Sequence, residues 1–299
     1  MSNNRAILVV GQSGQLARCL ALHAQRTGVR LVSFGRPELD LEDQSSIERV
    51  VARVEPSAIV NAGAYTAVDK AEAEPDRAFA INRDGAAGLA RIAAEAHIPL
   101  VHISTDYVFS GEKSTPYTED DATAPLSVYG HSKLAGEQAV RQAYPEAVVI
   151  RTGWNYSPFG HNFLRTMLRL ASTQSVVRVV GDQRGAPTSS ADLASGVLDI
   201  VQQLGRPRRP EPGIYHLTAA GETSWHGFTA AIFAGLARRG QKVPKLQQIT
   251  TSEYPTPARR PANSRLDSSK AERTFGVQLP PWQLSLEKCM DQLLMESIS

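Results

Sequence analysis

Tyr129 and Lys133 stand in a Tyr-x-x-x-Lys spacing, well downstream of a glycine-rich stretch at Gly11 and Gly14. On a helix, residues four apart share a face, so the lysine ammonium can sit near the phenol and favour its ionised form. A tyrosine tuned that way exchanges protons near neutral pH. Ser104 and Thr105 end an apolar run that reads as a central strand, and open parallel sheets place their ligands at such carboxyl ends. A hydroxyl there can donate to a substrate carbonyl. Taken alone, Tyr-x-x-x-Lys arises often by chance, and an exposed tyrosine beside a helix lysine is its bland account. Agreement with the strand-end Thr105 and the glycine stretch favours a catalytic site.

The glycine stretch reads Gly11-Gln-Ser-Gly14-Gln15-Leu16-Ala17, after an apolar run and before a helical run to about Gln25. Such a strand-to-helix turn needs small residues so that backbone N–H groups can approach a pyrophosphate at the positive helix end. The expected ligand is a dinucleotide; its nicotinamide, with Tyr129 and Thr105, suffices for carbonyl reduction or the reverse oxidation. An acidic residue ending the second strand would favour NAD, whereas this chain has Gly35 followed by Arg36. Arginine can pair with a 2′-phosphate, so NADPH is expected and NADH is possible. Asp40, with Leu41 beside it, is placed near the adenine, although Asp40 could instead cap the helix ahead.

Those residues need a scaffold, and the sequence supplies one. Continuous apolar runs at Ala6–Val10, Val29–Phe34, Ala58–Val60, Leu100–Ser104 and Ala147–Ile150 read as strands buried on both faces. Between and after them, helices are predicted at Ser45–Val54, Pro75–Asn82, Gly85–Ala96 and Ser132–Ala143. The alternation predicts an α/β fold, a Rossmann-like doubly wound parallel sheet, over residues 1–153. Further helices at Asn162–Ser172, Ser190–Leu204, Ser224–Arg239 and Leu284–Glu296 follow a less regular rhythm. They predict a smaller C-terminal substrate-binding lobe over 154–299, with the strand-like Gly213–Leu217 returning to the first lobe. The loop Ser110–Val128 is long for its place and could cover a site.

Composition narrows the class. The 32 basic and 30 acidic residues are interspersed, and nothing in them calls for nucleic acid. Cys19 and Cys289 form no Cys-x-x-Cys pair, no secretion leader is evident, and no apolar run approaches the ~20 residues of a bilayer span. A soluble, cytoplasmic protein without membrane partners is expected. The histidines lack zinc-type spacing, so no metal site is expected.

On these residues the chain resembles the extended short-chain dehydrogenase/reductase superfamily and, within it, the dTDP-4-dehydrorhamnose reductase family. The carriers are the Gly11–Leu16 turn, Asn61 to Glu72 with Ala64, Tyr65, Thr66 and Asp69, Ser104-Thr105-Asp106-Tyr107-Val-Phe109, and Tyr129-Gly-His-Ser-Lys133-Leu-Ala-Gly-Glu137. Arg151-Thr-Gly-Trp154, Asn162-Phe163, Gly185-Ala-Pro-Thr188 and Arg260-Pro-Ala-Asn263-Ser-Arg265-Leu extend the match nearly end to end. The resemblance implies reduction of the C4 ketone of dTDP-4-dehydro-β-L-rhamnose by NADPH or NADH, giving dTDP-β-L-rhamnose. It implies Tyr129 as proton donor, Thr105 orienting the carbonyl, and Lys133 bonding the nicotinamide ribose while lowering the tyrosine pKa. Ala64, Tyr65 and Thr66 would line the cofactor cleft. Asp106, Trp154 and Asn162 would serve the sugar side, and Arg260 and Asn263 the diphosphate. Arg259 and Arg265 are further local candidates, while Trp225 and Trp282 read as packing.

Some bacterial members of the family are described as dimers bridged by Mg2+ through carboxylates that include one on the first helix. Gln15–Gln25 contains no Asp or Glu, so a monomer, or a homodimer without that bridge, is expected. A 4,6-dehydratase relative would carry an acid where this chain has Tyr107, which favours simple reduction; an epimerase is a weaker rival. A non-catalytic regulatory subunit of the methionine adenosyltransferase type would keep the fold but would not require the Thr105, Tyr129, Lys133 set.

Overall fold

The structure, a computed structural model, describes residues 5–295. The strands are β1 (Ile7–Val10), β2 (Leu31–Phe34), β3 (Ala58–Asn61), β4 (Leu100–Thr105), β5 (Val148–Thr152), β6 (Asn155–Tyr156), β7 (Val176–Val180), β8 (Arg184–Gly185), β9 (Thr188–Ser189), β10 (Gly213–His216), β11 (Thr223–Ser224) and β12 (Lys245–Ile249). The helices are α1 (Gln15–Thr27), α2 (Gln44–Val54), α3 (Val68–Ala71), α4 (Pro75–Phe79), α5 (Ala86–Glu95), α6 (Val128–Ala143), α7 (Phe163–Thr173), α8 (Ser190–Leu204), α9 (Trp225–Arg238), α10 (Ser269–Phe275) and α11 (Trp282–Met295).

Six strands form one parallel sheet in the order β2-β1-β3-β4-β5-β10. Successive side chains of a strand point to opposite faces, which explains why β1 is apolar throughout. Ile7 and Val9 enter a core shared with α1, α8 and α10, while Leu8 and Val10 enter one shared with α2, α5 and α6. Each such side chain contributes roughly 1.5–3 kcal/mol on full burial. The helix layers therefore clamp both faces, and the strand ends stay fixed relative to one another. The chain reverses direction across the sheet between β1 and β3, so the crevice beyond their carboxyl ends is the switch point where such sheets bind ligands.

A third core, with Leu164 and Met167 of α7, Val177 and Val179 of β7, Phe228 and Ile232 of α9 and Leu286 and Met290 of α11, holds the C-terminal region together. Two elements there escape a reading of the sequence. β7 pairs in parallel with β12, some 70 residues onward, and its alternating exposure lacks the solid apolar run of the main sheet. The helix expected to end at Glu296 starts at Trp282; Glu296, like residues 1–4 and 297–299 of the two expected lobes, lies outside the described residues.

Two corrections bear on the site. The helix carrying Tyr129 and Lys133 begins at Val128, not Ser132, because the Ser127 hydroxyl caps it by accepting from the Gly130 N–H at 3.2 Å. Tyr129 therefore lies inside the helix with Lys133. Asp43, not Asp40, caps α2, accepting from the Ser45 N–H at 3.0 Å. The long loop before α6 is pinned to the segment 261–267: Tyr117 exchanges backbone bonds with Arg265 and Asp267, and Ala124 N–H reaches Val108 O. Among the described residues, no helix is long and apolar enough to cross a membrane.

Candidate active site

A cleft of about 500 Å³ opens at the carboxyl ends of the strands. Its lining includes Gly14, Gln15 and Leu16 from the turn after β1, Ala64 and Thr66 after β3, Thr105 and Asp106 at the end of β4, Tyr129 and Lys133 of α6, and Trp154 after β5. Ten of the residues singled out in the sequence thus meet in one cavity. A side chain at position 130 would collide with the Tyr107 carbonyl and Pro125, so Gly130 lets the start of α6 approach the β4 end. That approach brings Tyr129 against Thr105.

Tyr129 and Thr105 face each other in this cleft, close enough for the threonine to act on the phenol. Thr105 Oγ1 accepts from the Tyr107 N–H at 3.2 Å and donates to Asp106 Oδ1 at 2.9 Å. Burial pushes the Tyr129 phenol up to about 12, against the opposing influence of Thr105. Here the structure departs from the expected tuning. Lys133 donates from Nζ to Ile103 O at 2.7 Å rather than meeting the phenol, and burial lowers its ammonium to about 8. Tyr129 is consequently a phenol that keeps its proton across neutral pH. Burial also raises Asp106 to about 7, and its Oδ2 is buried without a protein partner. Ser104, the other expected strand-end hydroxyl, donates instead to Glu137 on the helix side.

The glycine turn meets the demands of a dinucleotide. Gly11 has φ +107°, and a Cβ there would lie 3.2 Å from Gly63 N and 3.3 Å from the Ala62 carbonyl carbon. Gly14 caps α1 with no side-chain hydrogen bond, leaving first-turn N–H groups for an anion, and a Cβ there would meet nothing within 4 Å. The open space beside those donors is the cradle a pyrophosphate needs. Gly35 packs against Gln12, so the exposed Arg36 lies by the turn, without a hydrogen bond or ion pair among the described residues. Leu41 packs near Gly63, and Asp40 Oδ1 accepts from the Glu42 N–H. Tyr65 donates its hydroxyl to Glu74 at 2.8 Å, and only its neighbours Ala64 and Thr66 line the cleft.

That loop is held by a residue the sequence did not reveal. Asn82, on a π-helical turn (Ala80–Gly85), accepts from the Tyr65 N–H and donates to Tyr65 O and Ser132 Oγ, tying the cofactor loop to α6. A π turn leaves no periodic signature by which to find it. Other expected contacts are committed elsewhere. Asn162 caps α7 and donates to Gln15 Oε1 at 3.0 Å, so it joins the two regions. Asn263 is buried and gives its amide hydrogens to Lys113 O and Thr115 O, which makes it a clamp on the long loop rather than an open phosphate ligand. Arg265 bonds Glu222 and Asn263, and Arg259 is exposed.

Beside the cleft lies a second cavity of about 480 Å³, lined by α7, β7, Trp225, Tyr254 and Arg260. Trp154, at φ +52°, stacks on Trp225 with centroids 3.4 Å apart and planes 4° apart. Trp225 is therefore more than core packing, because the stacked indoles form the wall between the cavities; Trp282 does pack, against Phe228. Arg260 pairs with Asp69 at 2.8 Å and lies near Tyr107, at the same boundary.

A parallel sheet with a glycine turn after β1 and a Thr-Tyr-Lys set facing the same crevice defines an extended short-chain dehydrogenase/reductase. Within that class, the family model described as "RmlD substrate binding domain" matches residues 5–295. The chain is 47% identical over 292 residues to a dTDP-4-dehydrorhamnose reductase of Sinorhizobium fredii, covering 97% of this chain and 98% of the relative. Identity to the Escherichia coli K12 protein of that name is 39% over 294 residues, 96% and 97% of the two chains. The crystal structure of the Bacillus anthracis dTDP-4-dehydrorhamnose reductase in complex with NADP superposes with a TM-score of 0.89 at 33% identity, covering 96% of this chain and 99% of that one. The chain belongs to the dTDP-4-dehydrorhamnose reductase family.

Proposed function

We infer that the protein reduces the C4 ketone of dTDP-4-dehydro-β-L-rhamnose with NADPH, giving dTDP-β-L-rhamnose. The observation that carries this reading is the gathering of Thr105, Tyr129 and Lys133 in the same cleft as the open Gly14 cradle. When bound, the cofactor supplies the hydride. Gly11, Gly14, Gln15 and Leu16 hold its pyrophosphate end, and Arg36 is the cation available to a 2′-phosphate.

On the substrate side, Thr105 orients the ketone oxygen and Tyr129, neutral because it is buried, gives that oxygen its proton. Lys133 spends one N–H on Ile103 O and keeps two for the nicotinamide ribose. Trp154 walls the sugar. The nucleotide end occupies the second cavity, with Arg260 at the boundary where a diphosphate would cross. Reduction rather than water loss fits Tyr107, a phenol whose pKa burial raises further and which gives the site no acid beyond Asp106 at that strand end.

The test is a panel of 4-keto sugar nucleotides followed at the nicotinamide absorbance. NADPH consumption should depend on dTDP-4-dehydrorhamnose; binding of NADPH without turnover of any member would favour a regulatory protein instead. The cradle has its own test. Gly14→Val should fold like the wild type, since its Cβ meets no protein atom, yet raise KM for NADPH by about tenfold or more. Gly11→Val, at φ +107°, should lose stability as well, and equal thermal unfolding of the two variants would contradict this assignment.

A further inference from the structure

Tyr129, Lys133 and Glu137 follow one another at four-residue intervals on the buried face of α6, yet only the first two have a place in the reaction above. Lys133 is 2% exposed and Glu137 1%. A buried ammonium is costly unless an opposite charge lies near it, and Lys133 finds only a neutral carbonyl, Ile103 O, as its hydrogen-bond acceptor.

The charged and titratable groups around it are few. His102 of β4 is buried and held well below its ordinary pKa by burial and by Lys133, so it is neutral. Arg151 of β5 is a cation, Tyr129 keeps its proton, and Asn82 and Ser132 are uncharged. Glu137 supplies the negative charge, and its attraction opposes the burial that lowers Lys133 to about 8.

The carboxylate is itself fixed. Arg151 Nε donates to Oε1 at 2.9 Å and Nη2 to Oε2 at 2.7 Å, while Ser104 donates to Oε1. The arginine in turn lies over the Phe109 ring, 5.1 Å from its centroid. Strands β4 and β5 thus hold Glu137 still, on the side of α6 that faces the sheet.

We propose that Glu137 is a positioning residue for the reduction, keeping Lys133 cationic beside the reacting tyrosine and thereby setting the alkaline limit of activity. This rests on the reductase reading. If that reading fails, wild type shows no turnover at any pH; if only this proposal fails, turnover is present and its pH limit ignores Glu137.

The experiment is the pH profile of kcat/KM from about pH 6 to about pH 10 for wild type, Glu137→Asp and Glu137→Gln. Loss of a unit charge at this range should move the alkaline limb of Glu137→Gln down by about one to two pH units, while Glu137→Asp stays near wild type. A Glu137→Gln limb at the wild-type position, with only a pH-independent loss of rate, overturns the proposal. Glu137→Gln leaves Arg151 buried without its partner and could fail to fold. The E137Q/R151M double variant, uncharged at both positions, then carries the test when set against Arg151→Met: its limb should lie about one to two pH units below that of Arg151→Met, and coincident limbs overturn the proposal.

Discussion

Tyr129→Phe should lower kcat by about 10²- to 10⁴-fold, the usual contribution of a general acid, while NADPH still binds and the fold is retained. The ring stays in place because it packs edge-on to Tyr107, with centroids 5.8 Å apart, and in the small core with Tyr65 and Ala78. What is lost is one hydroxyl, beside Thr105, that holds the proton up to about pH 12. Because wild-type Tyr129 is already protonated at neutral pH, the loss should not be recovered by working at lower pH. Stopped-flow turnover with a separate cofactor titration checks this; near-wild-type turnover would remove the tyrosine from the mechanism.

Arg151→Met should destabilise the protein by about 3–5 kcal/mol, because it leaves the Glu137 carboxylate buried without its ion-pair partner. The double variant E137Q/R151M should recover most of that loss, since neutral groups need no counter-charge. Denaturant unfolding of the wild type, both single variants and the double variant gives the coupling directly. Additive single effects would mean that the 2.7 Å pair, with side chains 3% and 2% exposed, does not act as a unit.

Much of this was legible in the chain because it rests on local rules. The apolar runs Ala6–Val10 and Ala58–Val60 marked β1 and β3, buried on both sides, and small residues at Gly11, Gly14 and Ala17 marked the turn between β1 and α1. The helix at Ser190–Leu204 was predicted to the residue from its pattern. What stayed hidden depends on contacts distant in sequence. The start of α6 is obscured by Gly130, which serves the close approach to the Tyr107 carbonyl rather than helix propensity. The β7–β12 pair depends on partners far apart, and Asn82 acts through an irregular turn.

Side-chain roles were the least legible. An asparagine in a family motif reads equally as a ligand or as a clamp, and the buried amide of Asn263 is spent on two backbone carbonyls. Tyr-x-x-x-Lys placed Lys133 on the tyrosine's face of the helix, but burial and the Ile103 carbonyl decide where its ammonium goes. Trp225 shows the same limit: its place on a helix gave no hint of the stack with Trp154 across the cavity wall.

The most direct measurement is isotope transfer by the purified protein. With dTDP-4-dehydro-β-L-rhamnose and NADPH deuterated at both positions of the reactive nicotinamide carbon, mass spectrometry and NMR should find deuterium on C4 of dTDP-β-L-rhamnose. Unlabelled product, or cofactor that stays reduced beside unchanged ketosugar, would contradict hydride delivery to that carbon.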